Sequence, residues 1–169
     1  DRFLELSAKG GDSILVMADL GFGHCELTMG VPDSWVDATS MGDLADLSLD
    51  LRERGKELRI ATKYPRLVQR HLLRHGVNYF SLVQSSGTLE AAPAMGFADV
   101  IADISSTGTT MRENRLKPLH GGSILTSQAC LIANRQLLRD DHRKLQVAKT
   151  LVELMEAHLQ SQDFYSVTA

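Results

Sequence analysis

Residues 98–110 carry the densest set of chemically useful side chains in the chain. They read Ala98-Asp99-Val100-Ile101-Ala102-Asp103-Ile104-Ser105-Ser106-Thr107-Gly108-Thr109-Thr110. An apolar stretch holds two carboxylates four residues apart and runs into a turn of hydroxyls around one glycine. Such a turn suits a phosphate. Successive backbone N–H groups in a tight turn form a concavity for an anion, and a glycine lets the backbone approach closely. Ser106, Thr107, Thr109 and Thr110 add hydroxyl donors. A helical turn starting at Thr110 would add a favourable dipole. Asp103, at the end of the strand, would accept hydrogen bonds from ribose hydroxyls and so place a sugar beside the phosphate. The same pattern also serves as a plain strand, polar turn and helix cap, and the residues alone leave both uses open. The turn lacks the Gly-Lys-[Ser/Thr] ending of a Walker loop and is not a Gly-x-Gly-x-x-Gly fingerprint.

Other reactive side chains form no comparable set. Ser105, Ser106 and His120 give no ordered nucleophile, base and acid. The six histidines do not cluster. His71 and His75 are four apart on a helical stretch, a spacing able to bind a metal. They lie among Arg70 and Arg74 with no following Glu, so a solvated helix face is the expectation. Cys25 and Cys130 sit in apolar runs outside any Cys-x-x-Cys pair and read as buried thiols.

The elements that must hold the loop alternate between strand-like and helix-like, which points to α/β architecture. Ser13–Asp19 and Cys25–Val31 read as strands, the second ended by Pro32. Ser40 caps a helix over Met41–Arg54, with Leu44, Leu47 and Leu51 on one face and Gly55 as its stop. Leu58–Thr62 is a strand, and Pro65 opens a helix that runs to His75 and closes at Gly76. Val77–Val83 is a strand, 85–87 a loop, and Thr88–Met95 a short helix interrupted by Pro93. Asp99–Ile104 is the strand entering the polar turn. Gly121 and Gly122 break the chain before one long strand, Ile124–Asn134. A helix over Asp141–Gln160 places Ala148, Leu151, Val152, Met155 and Leu159 on a core stripe, and Phe164–Val167 starts a further strand.

Composition narrows the partners. The chain has 169 residues, 43% hydrophobic and 23% charged, with a formal net charge of -3. A nucleic-acid binder needs a basic surface, so none is expected as a partner. No run approaches the roughly 18 apolar residues of a membrane span, and no targeting segment is visible.

Around the loop, a family resemblance appears. Asp103 followed by Thr107-Gly108-Thr109-Thr110 resembles the phosphoribosyl pyrophosphate loop of phosphoribosyltransferases. Arg59-Ile60-Ala61-Thr62-Lys63-Tyr64-Pro65, Gly87-Thr88-Leu89-Glu90-Ala91-Ala92-Pro93 and Gly96-Phe97-Ala98-Asp99 resemble segments of ATP phosphoribosyltransferases. So do Thr110-Met111-Arg112-Glu113-Asn114, Ser127-Gln128-Ala129-Cys130-Leu131-Ile132-Ala133-Asn134 and Asp19-Leu20-Gly21-Phe22-Gly23-His24-Cys25. The matches run in family order.

The resemblance implies transfer of a phosphoribosyl group from phosphoribosyl pyrophosphate to N1 of ATP, with pyrophosphate leaving and Mg²⁺ accompanying the phosphates. This is the first step of histidine biosynthesis. The implied fold is a two-lobed, periplasmic-binding-protein-like α/β domain. Residues 56–118 form the inner lobe, and residues 1–55 with 119–169 form a partial outer lobe. Ser106, Thr107, Gly108, Thr109 and Thr110 would hold the 5-phosphate, Asp103 the ribose hydroxyls, and Asp99 would support the loop or face the sugar. Lys63 either meets a phosphate or is an exposed strand-end lysine; Glu90 either meets the ribose or a Mg²⁺-bound water, or caps its helix. No residue is assigned as a catalytic acid, base or nucleophile, because the adenine nitrogen is the nucleophile. A homo-oligomer in the cytoplasm is expected, or in the plastid stroma for a plant protein.

The sequence also departs from the family pattern. The segments expected before Asp1 are missing, and Phe164–Ala169 is like the approach to the regulatory domain of long-form members. The expectation is therefore a fragment that binds phosphoribosyl pyrophosphate weakly and does not turn over. A non-catalytic small-anion-binding protein of the same two-lobed fold is the alternative.

Overall fold

The computed structural model describes residues 2–7, 12–84 and 89–162. In chain order its elements are α1 (Arg2–Ser7), β1 (Ser13–Met17), β2 (Cys25–Pro32), α2 (Met41–Glu53), β3 (Leu58–Thr62), α3 (Pro65–Arg74), β4 (Phe80–Gln84), β5 (Val100–Ser105), α4 (Thr109–Glu113), β6 (Leu116–Ser127), β7 (Leu131–Asn134), α5 (Arg135–Asp140) and α6 (His142–Gln162). A single 3₁₀ turn, Leu89–Ala91, stands between β4 and β5. The chain divides into two compact units, residues 1–5 with 24–127 and residues 6–23 with 128–169.

The first unit is a five-stranded mixed sheet in the order β4-β3-β5-β2-β6. β4, β3 and β5 run parallel, and β2 pairs antiparallel with both β5 and β6. Val100, Ile101 and Ala102 are all fully buried. Successive residues of a strand point to opposite faces, so such a run requires cover on both sides of the sheet. One face carries Leu27, Met29, Ile60, Val100 and Ala102 in a core with Leu44 of α2 and Val68 and Leu72 of α3. The other carries Ala61 and Ile101 against Leu89, Ala92 and Met111. Gly30 allows the second layer to sit close. A methyl group there would stand 3.2 Å from Ile101 and 3.3 Å from the Met111 sulfur.

Both covering helices have stated reasons to begin where they do. Ser40 accepts from the Asp43 N–H while Asp43 accepts from the Ser40 N–H, a reciprocal cap. α3 has Pro65 in its first turn but no capping side chain at Tyr64. Its free N–H groups are instead met by the buried Glu5, whose carboxylate accepts from Arg66 N at 3.2 Å and Leu67 N at 3.1 Å. That cap comes from some sixty residues away.

The second unit pairs β1 with β7 antiparallel, with an irregularity between Leu15 and Met17. Asn134 caps α5 by accepting from Leu137 N, and α6 follows. The stripe expected to be core on α6 is only half-buried at Ala148, Val152, Met155 and Leu159, and Leu151 is 47% exposed.

Several sequence expectations are corrected. The single strand expected over Ile124–Asn134 is two strands in different sheets, β6 and β7. Gly121 and Gly122 do not break the chain ahead of it but lie inside β6. There the register jumps from Thr28↔Ser123 to Gly30↔Pro118, and the glycines form a bulge. β4 starts at Phe80 rather than Val77, and the helix expected over Thr88–Met95 is reduced to the 3₁₀ turn. The loop at 85–87 and the strand expected at 164–167 lie outside the described residues. Cys25 and Cys130 are free but half-buried rather than buried. The division expected at 55/56 and 118/119 falls instead at 23/24 and 127/128, because β2 and β6 are hydrogen-bonded into the same sheet as β3 to β5. Among the described residues no helix is long and apolar enough to cross a membrane.

Candidate phosphosugar site

Three parallel neighbours, β4, β3 and β5, end on the same edge of the first unit. In open α/β sheets this carboxyl edge is where chain turns gather around ligands. Lys63 follows β3, the turn with Glu90 follows β4, and Ser106–Thr110 follows β5. The expected residues therefore converge by topology, although they are separated by up to 47 positions in sequence.

The loop is tight and internally bonded. Gly108 stands in the left-handed region at φ 72 and ψ 0, which an L-residue adopts at a cost. Its N–H donates to Ser105 Oγ at 2.9 Å. Thr107 and Thr109 share a hydroxyl–hydroxyl bond of 2.9 Å, and Thr109 N donates to Thr107 Oγ1 at 3.4 Å. α4 starts at Thr109, one residue before the expected Thr110, and Asn114 Nδ2 donates to the Thr110 carbonyl at 2.9 Å.

Asp103 is buried at 8% exposure, opposite Thr28 on the neighbouring strand. Burial pushes its carboxyl above the ordinary value of 3.8. The Ile104 N–H and the Lys63 charge pull it back, while the Glu90 charge adds to the rise. Asp103 is thus close enough to Lys63 and Glu90 to feel both charges. A carboxylate has the acceptor oxygens that a sugar hydroxyl requires.

Asp99 is corrected. It precedes β5, so the whole strand separates it from the loop, and it is tied to Arg59 at the start of β3. Its carboxylate accepts from Arg59 N at 2.8 Å, Nε at 3.1 Å and Nη2 at 2.8 Å, and Arg59 Nη1 donates to the Gly96 carbonyl at 2.7 Å. Burial alone would raise the Asp99 carboxyl. The Arg59 bonds, with the Arg59 and Lys56 charges, outweigh it and hold the group below its ordinary range. Asp99 fastens two strand starts together and does not reach a ligand in the loop.

A cavity of 890 Å³ opens beside the loop. Ser105, Ser106, Thr107 and Gly108 line it, with Arg112 of α4, Glu26 and Thr28 of β2, and Thr126 of β6 among the other walls. Thr109, Thr110, Lys63, Glu90, Asp99 and Asp103 are not in its lining. The walls from β2 and β6 were not legible in sequence, since strand pairing puts them there. Arg112 did carry a local signal. It lies one helical turn after Gly108, so its side chain returns over its own loop.

The two histidines on α3 are engaged with backbone. His71 Nε2 donates to the Gly121 carbonyl at 3.0 Å and His75 Nδ1 to the His71 carbonyl at 2.9 Å, with ring centroids 4.3 Å apart. Among the described residues no group of three or more His, Cys, Asp or Glu is placed to hold a metal.

Comparison with known proteins gives the family of the chain. A family model described as "HisG: ATP phosphoribosyltransferase" matches residues 1–157. The chain is 47% identical over 150 residues to an ATP phosphoribosyltransferase of Brucella anthropi, covering 88% of this chain and 64% of the relative. It is 48% identical over 138 residues to that of Brucella suis, covering 80% and 60%. The chain thus spans less than two thirds of these relatives. Among solved structures it superposes on a chain of the "ATP phosphoribosyl transferase (HisG:HisZ) complex from Thermotoga maritima" with a TM-score of 0.63 at 23% identity, covering 88% of this chain and 63% of that one. At that identity the likeness concerns the fold alone.

Proposed function

The chain belongs to the ATP phosphoribosyltransferase family, and from that premise we propose that it carries the phosphoribosyl pyrophosphate site of an enzyme that transfers the phosphoribosyl group to N1 of ATP. The observation that supports this most is the placement of buried Asp103 immediately before the Ser105–Thr110 turn, on the carboxyl edge of three parallel strands. A phosphate in the turn then has the ribose within reach of an anionic acceptor.

The chemistry asks little of a protein base. The adenine N1 lone pair forms a bond to the anomeric carbon, the bond to pyrophosphate breaks, and its electron pair leaves with the pyrophosphate. The protein's part is to fix the two substrates in line and to balance the moving charge. Ser106, Thr107, Gly108, Thr109 and Thr110 hold the 5-phosphate, which on binding replaces hydrogen bonds the loop now makes to itself. Asp103 accepts from the ribose hydroxyls and stabilises positive character on the sugar. Lys63, whose charge reaches Asp103, offers a cation for the phosphates.

Mg²⁺ fits this arrangement as a passenger on the substrate phosphates. Such ions keep several waters and take only one or two protein carboxylates, and Glu90 would meet one of those waters. The ion would neutralise charge on the departing pyrophosphate. In the whole protein the site would work within a homo-oligomer in the cytoplasm.

The test is calorimetric titration of phosphoribosyl pyrophosphate with Mg²⁺ into this chain beside Asp103→Asn and Thr107→Ala. Both changes should weaken binding by about tenfold or more, as expected for loss of a hydrogen bond to a charged group. Equal binding by all three would place the ligand elsewhere and sink the reading.

A further inference from the structure

Arg112 is the feature of this site that no sequence expectation used. Its Nη2 donates to the Thr107 carbonyl at 3.2 Å. Its Nη1 and Cζ lie 3.8 and 4.0 Å from where a methyl group on Gly108 would stand. The guanidinium therefore lies beside the Thr107–Gly108 peptide. It also lines the 890 Å³ cavity together with Ser105, Ser106, Thr107 and Gly108.

Arg112 also brings a charge to the cavity wall. Among the described residues Arg112 is in no ion pair, although Glu26 and Asp33 line the same cavity. A guanidinium has five N–H donors in a fixed plane, and the Thr107 carbonyl takes one. The rest match the paired oxygens of a phosphate, which a planar fork engages two at a time.

We propose that Arg112 is a direct ligand of the phosphate group held by the loop, bracing the Thr107 carbonyl with one N–H and presenting its remaining donors to the phosphate dianion. This rests on the reading of the loop as a phosphate site. It gives the site a full positive charge that neither the hydroxyls nor the backbone supplies.

The experiment separates bracing from binding. Glutamine at 112 can still donate to the Thr107 carbonyl but carries no charge. The chain, R112Q and R112K are each titrated with inorganic phosphate and with phosphoribosyl pyrophosphate plus Mg²⁺, and their thermal midpoints are recorded. R112Q should keep the midpoint and lose about tenfold or more in affinity for both anions, the scale of a charge-assisted bond. R112Q binding both as the original chain does would overturn the proposal and leave Arg112 as a brace. Should R112Q fail to fold, R112K carries the test: it keeps the charge but loses the fork, and undiminished affinity counts against the proposal. If the original chain binds neither anion, the loop reading falls and Arg112 with it, a result distinct from the others.

Discussion

Arg59 and Asp99 stand forty residues apart in sequence and share four hydrogen bonds: the Arg59 N–H and two guanidinium N–H groups donate to the Asp99 carboxylate, and the Asp99 N–H donates to the Arg59 carbonyl. The pair fixes the start of β5 against the start of β3, and so sets the line along which β5 delivers its loop. Asp99→Asn should cost about 1–2 kcal/mol, because a charge-assisted pair is lost but Arg59 is partly solvated. Affinity for phosphoribosyl pyrophosphate should stay within about twofold. Chemical denaturation and titration on the same preparation check this. The folded-state carboxyl of Asp99 is held below its ordinary 3.8, so its stabilisation is complete above about pH 3.8 and is lost as pH falls from there through the lower folded value. Asp99→Asn should remove this part of the acid dependence.

Asp103 should behave in the opposite way. Burial raises its carboxyl in the folded chain, so the folded state holds the proton more firmly than the unfolded one. Stability contributed by this group therefore falls as pH rises from 3.8 through the raised value, and stays lower above it. Asp103→Asn should melt higher than the original chain at neutral pH and bind the phosphosugar more weakly. A lower melting temperature with unchanged binding would assign Asp103 to structure.

Gly108 carries its strain in the backbone rather than in crowding. At φ 72 an alanine costs about 1–2 kcal/mol, while its methyl group would meet Arg112 only at 3.8 Å, an ordinary contact. Gly108→Ala should lower stability by that amount and weaken phosphate binding. Relaxation of the turn should appear as altered amide shifts confined to 105–112.

The reciprocal cap of α2 is testable by acid titration. Hydrogen bonds from the Thr39 backbone and hydroxyl, and from Ser40, lower the Asp43 carboxyl from 3.8 to about 2. The cap's contribution is complete above about pH 4 and disappears as pH falls toward 2. Ser40→Ala should cost about 1 kcal/mol at neutral pH. The difference between the two chains should shrink across that acid window, read from thermal midpoints at a series of pH values.

How much of this was legible in the sequence depended on distance along the chain. The loop, its glycine, the strand before it and the cap of α2 are local. Each is set by residues within about four positions, through backbone sterics and side-chain-to-backbone bonds. The family resemblance rests on the same short segments, and it groups Lys63, Glu90 and Asp103 as residues of one site. The exposed reach of Arg112 back to Thr107 was available from helical spacing and went unused.

The remainder was decided by pairing between distant segments. Two carboxylates on one strand look alike in sequence, yet Asp99 faces Arg59 at one end of the sheet and Asp103 is buried beside the loop at the other. The chain alone gives no sign that Glu5 caps α3, or that β2 and β6 join the sheet of β3 to β5 and so move the boundary between the units. Local propensity fixes which residues form a strand or turn. Only the sheet's order and direction fix which ends meet, because hydrogen bonds between strands carry no record of the sequence distance they span.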